Sequence, residues 1–298
     1  MVVVLLLWAR PARTEEPPLG TEQVVFDIGM AKVCFRNVNR NDATAAYRLL
    51  LESQGKRLGM DCRADPRIYD DTASFEAAIQ KTPMQMAVMD AWQFLTMDIH
   101  QKMKPFFTVM EHGKVGRKYL VLTRRDSEIR MLGDLRGKGI IQTEVARAQI
   151  CKAWLDTLLL AEGWGPQEEF FGNLKTVGKA SAAVLPVFFG QSPACVIDQS
   201  SFEVLKELNP QLGKMLRVLA ISDPFADVFI CLSETGWRRQ SDKANTIQSL
   251  RDLHVDTVGK QVCLLFKIDR MVPFEDRQLD TVRKLRATYK ALQTAAKP

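Results

Sequence analysis

Recognisable catalytic and metal-binding signatures are missing from this 298-residue chain. It contains no GxSxG, P-loop, HExxH or GxGxxG pattern, so the common nucleophile elbows, phosphate-cradling loops, zinc-peptidase helices and dinucleotide folds have no anchor in it. Histidine is scarce: His100, His112 and His254 lie far apart and share no ligand spacing, which reads as structural or solvated. The six cysteines, Cys34, Cys62, Cys151, Cys195, Cys231 and Cys263, show no CxxC or CxH spacing, and that excludes the usual zinc arrangements. No apolar stretch approaches the roughly 20 residues of a membrane-spanning helix. Internal repeats are absent too, and low-complexity sequence is confined to the first 20 residues.

What is present is the composition of a globular α/β protein, 46% hydrophobic and 26% charged, long enough for two modest lobes with a core each. The formal charge is +6 and the pI about 9.0. Basic residues are interleaved with acidic ones, as in Arg124-Arg125-Asp126 and Arg251-Asp252, and no aromatic-basic signature of a nucleic-acid module appears. Only the last helix, with Arg283, Lys284, Arg286 and Lys290, is locally basic, as a solvated helix face is. Cys195, Cys231 and Cys263 sit in the apolar runs ACVID, VFICL and VCLLF, where a thiol behaves as a small hydrophobe. The even count keeps one disulfide open without choosing a pair.

The N-terminus carries a short apolar run, residues 2–8, then Arg10-Pro11-Ala12-Arg13 and a polar, proline-bearing stretch to Gly20. A complete secretory signal has a basic leader and about 7–15 apolar residues. This run has the back half of such a signal, and the expectation is a truncated signal, with a disordered or weakly anchored tail as the alternative.

Strand and helix signals alternate: strand 24–30, helix 42–54, strand 60–64, helix 72–80, strand 86–90. Strands at 106–110 and 119–123 follow, separated by the polar segment Glu111-His112-Gly113-Lys114, which suits a crossing between lobes. Next come Asp134-Leu135-Arg136-Gly137-Lys138, a strand at 139–141, helix 148–161, strand 174–177, helix 179–188, strand 194–198 and helix 200–208. Ser222-Asp223-Pro224 would return the chain to the first lobe. The final helix has apolar positions Leu279, Val282, Leu285, Tyr289 and Leu292 at three- and four-residue steps.

The order of these elements, with the alanine-rich helix 182–189, Gly190 and the strand Ala194-Cys195-Val196-Ile197-Asp198, resembles the periplasmic solute-binding proteins of ABC transporters, in particular their phosphate, phosphite and phosphonate-binding group. The resemblance covers roughly residues 24–233. It implies the α/β, two-lobed type 2 periplasmic-binding-protein fold, each lobe a mostly parallel sheet flanked by helices, with a ligand cleft between. The division expected is a signal-like or disordered segment 1–20, a first lobe of 21–113 plus 222–298, and an inserted second lobe of 114–221. It also implies that the last helix packs on the first lobe.

Ligands of open parallel sheets collect at the carboxyl ends of strands, where helix N-termini converge. Five such places offer candidates. Lys32 and Phe35 follow the first strand, as a cation and a ring or as a solvated loop. Tyr69 precedes the capping cluster Asp70-Asp71-Thr72. Asp90 and Trp92 open a helix, where Asp90 is either a cap or a partner for a ligand amine. Gln142, Thr143 and Arg147 follow the strand at 139–141, where the resembled family carries a small Ser/Thr/Gly-rich oxyanion loop. Here only Thr143 remains of it and Glu144 would repel a dianion, so a carboxylate or zwitterion is as well suited as a phosphonate. Asp198 ends the fifth strand, as ligand partner or helix cap.

The function expected is extracytoplasmic capture of a small anionic or zwitterionic solute by hinge closure, without a cofactor, for an ABC permease or a sensor kinase. No nucleic-acid partner is expected, and contact with the membrane is peripheral at most. The alternatives are an enzyme on the same fold, with Asp90, Asp198 or His112 in acid-base roles, and an orphan receptor without a transport role.

Overall fold

The computed structural model describes residues 24–35, 38–57 and 62–296. The segment 1–20 therefore lies outside the described residues. Among those described, twelve strands form two sheets. The strands are β1 (Val24–Ala31), β2 (Cys62–Tyr69), β3 (Met86–Asp90), β4 (Met103–Glu111), β5 (Lys114–Val115), β6 (Tyr119–Arg124), β7 (Gly139–Thr143), β8 (Asn173–Val177), β9 (Ala194–Asp198), β10 (Leu216–Ile221), β11 (Val228–Ser233) and β12 (Arg270–Pro273). The helices are α1 (Arg40–Arg57), α2 (Thr72–Lys81), α3 (Ala91–Thr96), α4 (Gln149–Ala161), α5 (Gln167–Phe170), α6 (Ala180–Phe188), α7 (Gln199–Leu208), α8 (Gln211–Met215), α9 (Gln240–Arg251), α10 (Thr257–Phe266) and α11 (Asp280–Ala295).

The first sheet runs β12-β4-β11-β3-β1-β2, with β5 paired to β4, and the second runs β10-β6-β9-β7-β8. Strands joined through helices pair in parallel, β1 with β2 and β3, and β7 with β8 and β9. The strands that carry the chain between sheets pair antiparallel, β11 with β3 and β4, and β6 with β9 and β10. Each sheet is thus mixed, because a chain that leaves a lobe and returns brings strands of opposite direction into it.

Sequence texture follows position in the sheet. The central strands β3 and β9 are apolar runs buried at every residue, as strands covered on both faces must be. The edge strand β2 alternates, keeping Ala64 in the core and Arg63 and Arg67 outward, and this charge protects the open edge. Cys195, Cys231 and Cys263 are buried thiols, as their apolar surroundings suggest.

The segment Glu111-His112-Gly113-Lys114, expected to cross between lobes, is a tight hairpin instead. Glu111 pairs with Lys114, and both turn residues have positive φ, 50° at His112 and 71° at Gly113, the signature of a two-residue primed turn. The crossing comes directly after it. Arg117 and Phe225 exchange backbone hydrogen bonds of 2.8 and 2.9 Å, the Ser222 amide donates to the Tyr119 carbonyl (3.0 Å), and the Tyr119 amide donates to Ser222 Oγ (2.9 Å). Gly116 makes this approach possible: its φ is 90°, and a Cβ there would lie 3.2 Å from the Phe225 carbonyl oxygen.

The last helix departs from expectation. Its apolar stripe of Val282, Leu285 and Tyr289 is buried, but α11 packs chiefly on α4 beside the second sheet, touching α3 beside the first. Tyr289 Oη donates to Asp156 Oδ2 on α4 at 3.0 Å, the Trp92 ring of α3 meets Tyr289 edge-on at 6.1 Å, and Arg286 donates to the Leu95 carbonyl. Asp156 has no exposed surface, and it also accepts from Lys152 Nζ (2.7 Å) and the Gln167 amide (2.9 Å). A buried carboxylate needs such donors, and they reside on α4, α5 and α11, which draws the last helix to the second lobe. One core cluster accordingly runs through both lobes behind the cleft, containing Phe75, Met89 and Phe229 with Val121, Trp154 and Leu155.

Candidate functional site

The carboxyl ends of the parallel strands of both sheets face one another across a cavity of about 690 Å³. Both lobes and the crossing contribute: Phe35 and Tyr47 from the first, Val145, Ser181, Asp198 and Ser200 from the second, Glu111, His112 and Arg117 between them.

Arg117 organises the polar end. It leaves the crossing strand with only a tenth of its side chain exposed. Its Nη2 donates to both carboxylate oxygens of Glu111 (2.8 and 2.6 Å), its Nε donates to Asp227 Oδ2 (3.0 Å), and its Nη1 lies 3.6 Å from Asp198 Oδ1. One planar guanidinium thereby ties carboxylates of the first sheet to the carboxyl end of β9 in the second.

Asp198 is 1% exposed. It is the N-cap of α7, its Oδ1 accepting from the Ser201 amide (2.9 Å) and from Ser200 Oγ (3.1 Å). Its Oδ2 is buried without a hydrogen-bond partner. An unsatisfied buried carboxylate oxygen is costly, and Oδ2 retains its capacity to accept a hydrogen bond. Beside it, α6 begins with Ala180 and Ser181 on the cavity wall and has no side-chain cap, so the amides of its first turn have no side-chain acceptor. Burial pushes the phenol of Tyr47 well above its ordinary value, so that side chain is neutral and a donor throughout the physiological range.

Of the residues singled out from sequence, the structure brings Phe35, Asp198 and the alternative acid-base candidate His112 to this cavity. Phe35 is buried, with its ring 5.9 Å from that of Phe266. The others have different surroundings. Lys32 is exposed and pairs with Asp70 at 3.0 Å, and Tyr69 stacks on Phe75 with ring centres 4.9 Å apart. Asp90 caps α3 through the Gln93 amide (2.6 Å) in a reciprocal capping box, and Trp92 turns to the rear against Tyr289. Gln142 donates to Thr176 Oγ1 (3.2 Å) within the second sheet, and Thr143 is a buried cap that accepts from the Ala146 amide (3.3 Å). The side chain of Arg147 lies outside the described residues.

Sequence reading missed Glu111, Arg117, Ser181 and the segment from α10 to β12, all on the cavity wall. A signal for Arg117 was present in its place six residues after Glu111 and just before the strand Tyr119–Arg124, but its other two carboxylates, Asp198 and Asp227, are distant in sequence. Among the described residues no cluster of His, Cys, Asp and Glu could hold a metal ion, and no helix is long and apolar enough to cross a membrane.

Comparison with solved structures returns the same architecture. XAC2383 from Xanthomonas citri bound to ATP superposes with a TM-score of 0.63 at 12% identity, covering 91% of this chain and 98% of that one. A binding protein component of an ABC phosphonate transporter, PA3383 from Pseudomonas aeruginosa, gives 0.62 at 14%, covering 93% and 90%. PhnD1 from Prochlorococcus marinus in complex with methylphosphonate gives 0.56 at 13%, covering 89% and 98%. At these identities the likeness establishes the two-lobed type 2 binding-protein fold. A search of curated protein sequences finds no match. The profile of one family, described as the phosphonate ABC transporter periplasmic substrate-binding protein, matches residues 36–279. That span holds both sheets except β1, together with the crossing and the cavity's polar end, and the chain belongs to this family of extracytoplasmic solute-binding proteins, which serve a transporter and are not a class of enzymes.

Proposed function

We propose that this chain captures a small zwitterionic or anionic solute in the cavity between its lobes and presents it, closed, to an ABC permease. The observation that carries the reading is the buried, unpartnered Oδ2 of Asp198 beside the uncapped start of α6. The first is complementary to an ammonium or hydroxyl of the solute, the second to its anionic group. This favours a solute bearing both, such as an aminophosphonate or an amino acid, over a bare oxyanion. Thr143 supports the same choice, since its hydroxyl is engaged as a helix cap. The methylphosphonate held by PhnD1 of Prochlorococcus marinus has the anionic half of such a molecule.

In this reading the first lobe comprises 21–113 with the return segment from 222 to about 279, the second comprises 114–221 with α11 packed on it, and the hinge is the paired crossing at Arg117 and Phe225. Closure brings Phe35 and Tyr47 toward Ser181 and Asp198, and the ligand selects the closed form through contacts available only there. Lys32, Tyr69, Asp90, Trp92 and Gln142, which also stand near strand ends, become rim or supporting residues. The apolar run at 2–8 serves export, and a sensor kinase is the other receiver that this mode of closure would suit.

Thermal unfolding of the full chain against phosphate, phosphonates, aminophosphonates, sulfonates, amino acids and dicarboxylates tests the proposal. A cognate solute at 100 times its dissociation constant adds about 2.7 kcal/mol to stability. Asp198→Asn should remove most of the shift given by amine-bearing solutes and spare that of simple oxyanions. An equal shift in both proteins would take Asp198 out of the site.

A further inference from the structure

Two helices from opposite lobes border the open cleft. On the second lobe α7 supplies Ser200, Ser201, Val204 and Leu205 to its wall, and on the first lobe α10 supplies Leu264 and Leu265, with Lys267 just past the helix end. Each helix is anchored in its own lobe through another face. Phe202 of α7 sits in the core cluster of the second sheet, and Val262 and Cys263 of α10 sit in that of the first. The residues left outward are of a different kind. Leu264 is 80% exposed, between the exposed lysines Lys260, a turn before it, and Lys267. Val204 is 41% exposed, with Ser200 a turn before it and the exposed Glu207 a turn after. Glu203 is held by Lys206 of its own helix (2.5 Å), so Glu207 is the carboxylate that α7 offers outward.

A single exposed leucine needs no explanation, because isolated apolar side chains are scattered over every protein surface. Here an apolar residue stands on each lip of one cleft, bordered by cations on the first lobe and by a carboxylate on the second. The two lips are complementary in charge around an apolar centre, and closure of the lobes removes the space between them. We propose that α7 and α10 are the two halves of a latch: as the cleft closes, Leu264 seats against Val204 and Leu205, and Glu207 meets the lysines beside Leu264. The latch deepens the preceding reading and rests on its hinge closure. Its contacts join lobe to lobe and do not touch the solute. They therefore strengthen the binding of every solute that closes the cleft by one common factor.

Crosslinking of the full chain tests the latch without knowledge of the solute. In the double variant Val204→Cys, Leu264→Cys, glutathione disulfide should oxidise the two new thiols to one bond and release two glutathione thiols. Such a bond needs Cα atoms within about 7 Å of each other, so it forms only if the lips touch. Mass spectrometry of the digest should show the joined peptides. The control Leu185→Cys, Leu264→Cys, whose first position is exposed on α6 away from the cleft wall, should give none. Equal yields from both pairs would overturn the latch, as would no bond between 204 and 264 with or without aminomethylphosphonate or alanine. Calorimetric titration supplies a second readout. Leu264→Asn should weaken aminomethylphosphonate and alanine by the same factor, about tenfold, and leave the melting temperature of the free protein unchanged. Adding Val204→Asn should cost little more, because the two residues share one contact. A loss confined to one solute would make Leu264 a ligand contact and overturn the latch. A bond between 204 and 264 in a protein that binds no solute would keep the latch and remove the solute reading.

Discussion

The two lobes meet at two junctions of opposite character. At the front the junction is polar: a short stretch of paired backbone and one guanidinium shared among Glu111, Asp198 and Asp227. At the rear it is apolar: the stripe of α11 seals a core cluster common to both lobes, with one buried polar knot of Asp156, Lys152 and Tyr289. Backbone hydrogen bonds of an extended crossing survive small dihedral changes, whereas an interdigitated core yields little. In the closure proposed above, the contrast places bending at the front crossing and leaves the rear core fixed.

The sharpest way to break the contrast is at Arg117. Arg117→Met leaves three carboxylates crowded in a half-buried site, and removing one partner from such a group costs about 3–5 kcal/mol. Urea unfolding should show that loss, and titration should show weaker solute binding as well, because Asp198 loses a positioning neighbour. At the rear, Asp156→Ala strands the Gln167 amide and the Tyr289 hydroxyl, while Lys152 keeps its pairing with Glu168, and should cost about 3 kcal/mol in the same unfolding experiment, with affinity of the folded fraction altered far less.

A smaller effect distinguishes the rear through pH. Burial, and next the Asp156 carboxylate, push the Tyr289 phenol up to about 12. A raised folded-state value means that the neutral phenol stabilises the fold in full below its ordinary value near 10, and that this contribution is lost as pH rises from 10 to 12. Tyr289→Phe should cost about 1 kcal/mol at neutral pH and flatten part of the alkaline decline, leaving the share that belongs to Tyr47. Smallest of all is Lys32→Ala. Its partner Asp70 has a carboxyl held below the usual range by Lys32 and Arg40, but the pair is solvent-exposed, and neither melting temperature nor affinity should change measurably.

The same contrast explains what was legible in the sequence. Continuous apolar runs and alternating texture marked the strands at 86–90 and 194–198, and Asp198 stood out because it closes one of them. Asp90 and Thr143 looked equally good by position, yet their side chains serve as helix caps, the local role that their residue types favour. The periodicity of the last helix showed its apolar face but not the surface it covers, since Asp156 and Tyr289 are far apart in the chain. Arg117 was missed for a related reason: beyond its near neighbour Glu111, its importance lies in Asp198 and Asp227, which only the fold gathers around it. The hairpin at His112-Gly113 was read as a crossing because a polar, glycine-bearing segment suits both.

Hydrogen–deuterium exchange of the full chain with and without saturating α-aminohexylphosphonate tests the central claim most directly. The account predicts protection at the amides of residues 111–118, 180–184 and 198–202, with the amides of α4 and α11 unchanged. Protection confined to α4 and α11, or bound ligand without protection at the crossing and the start of α6, would contradict it.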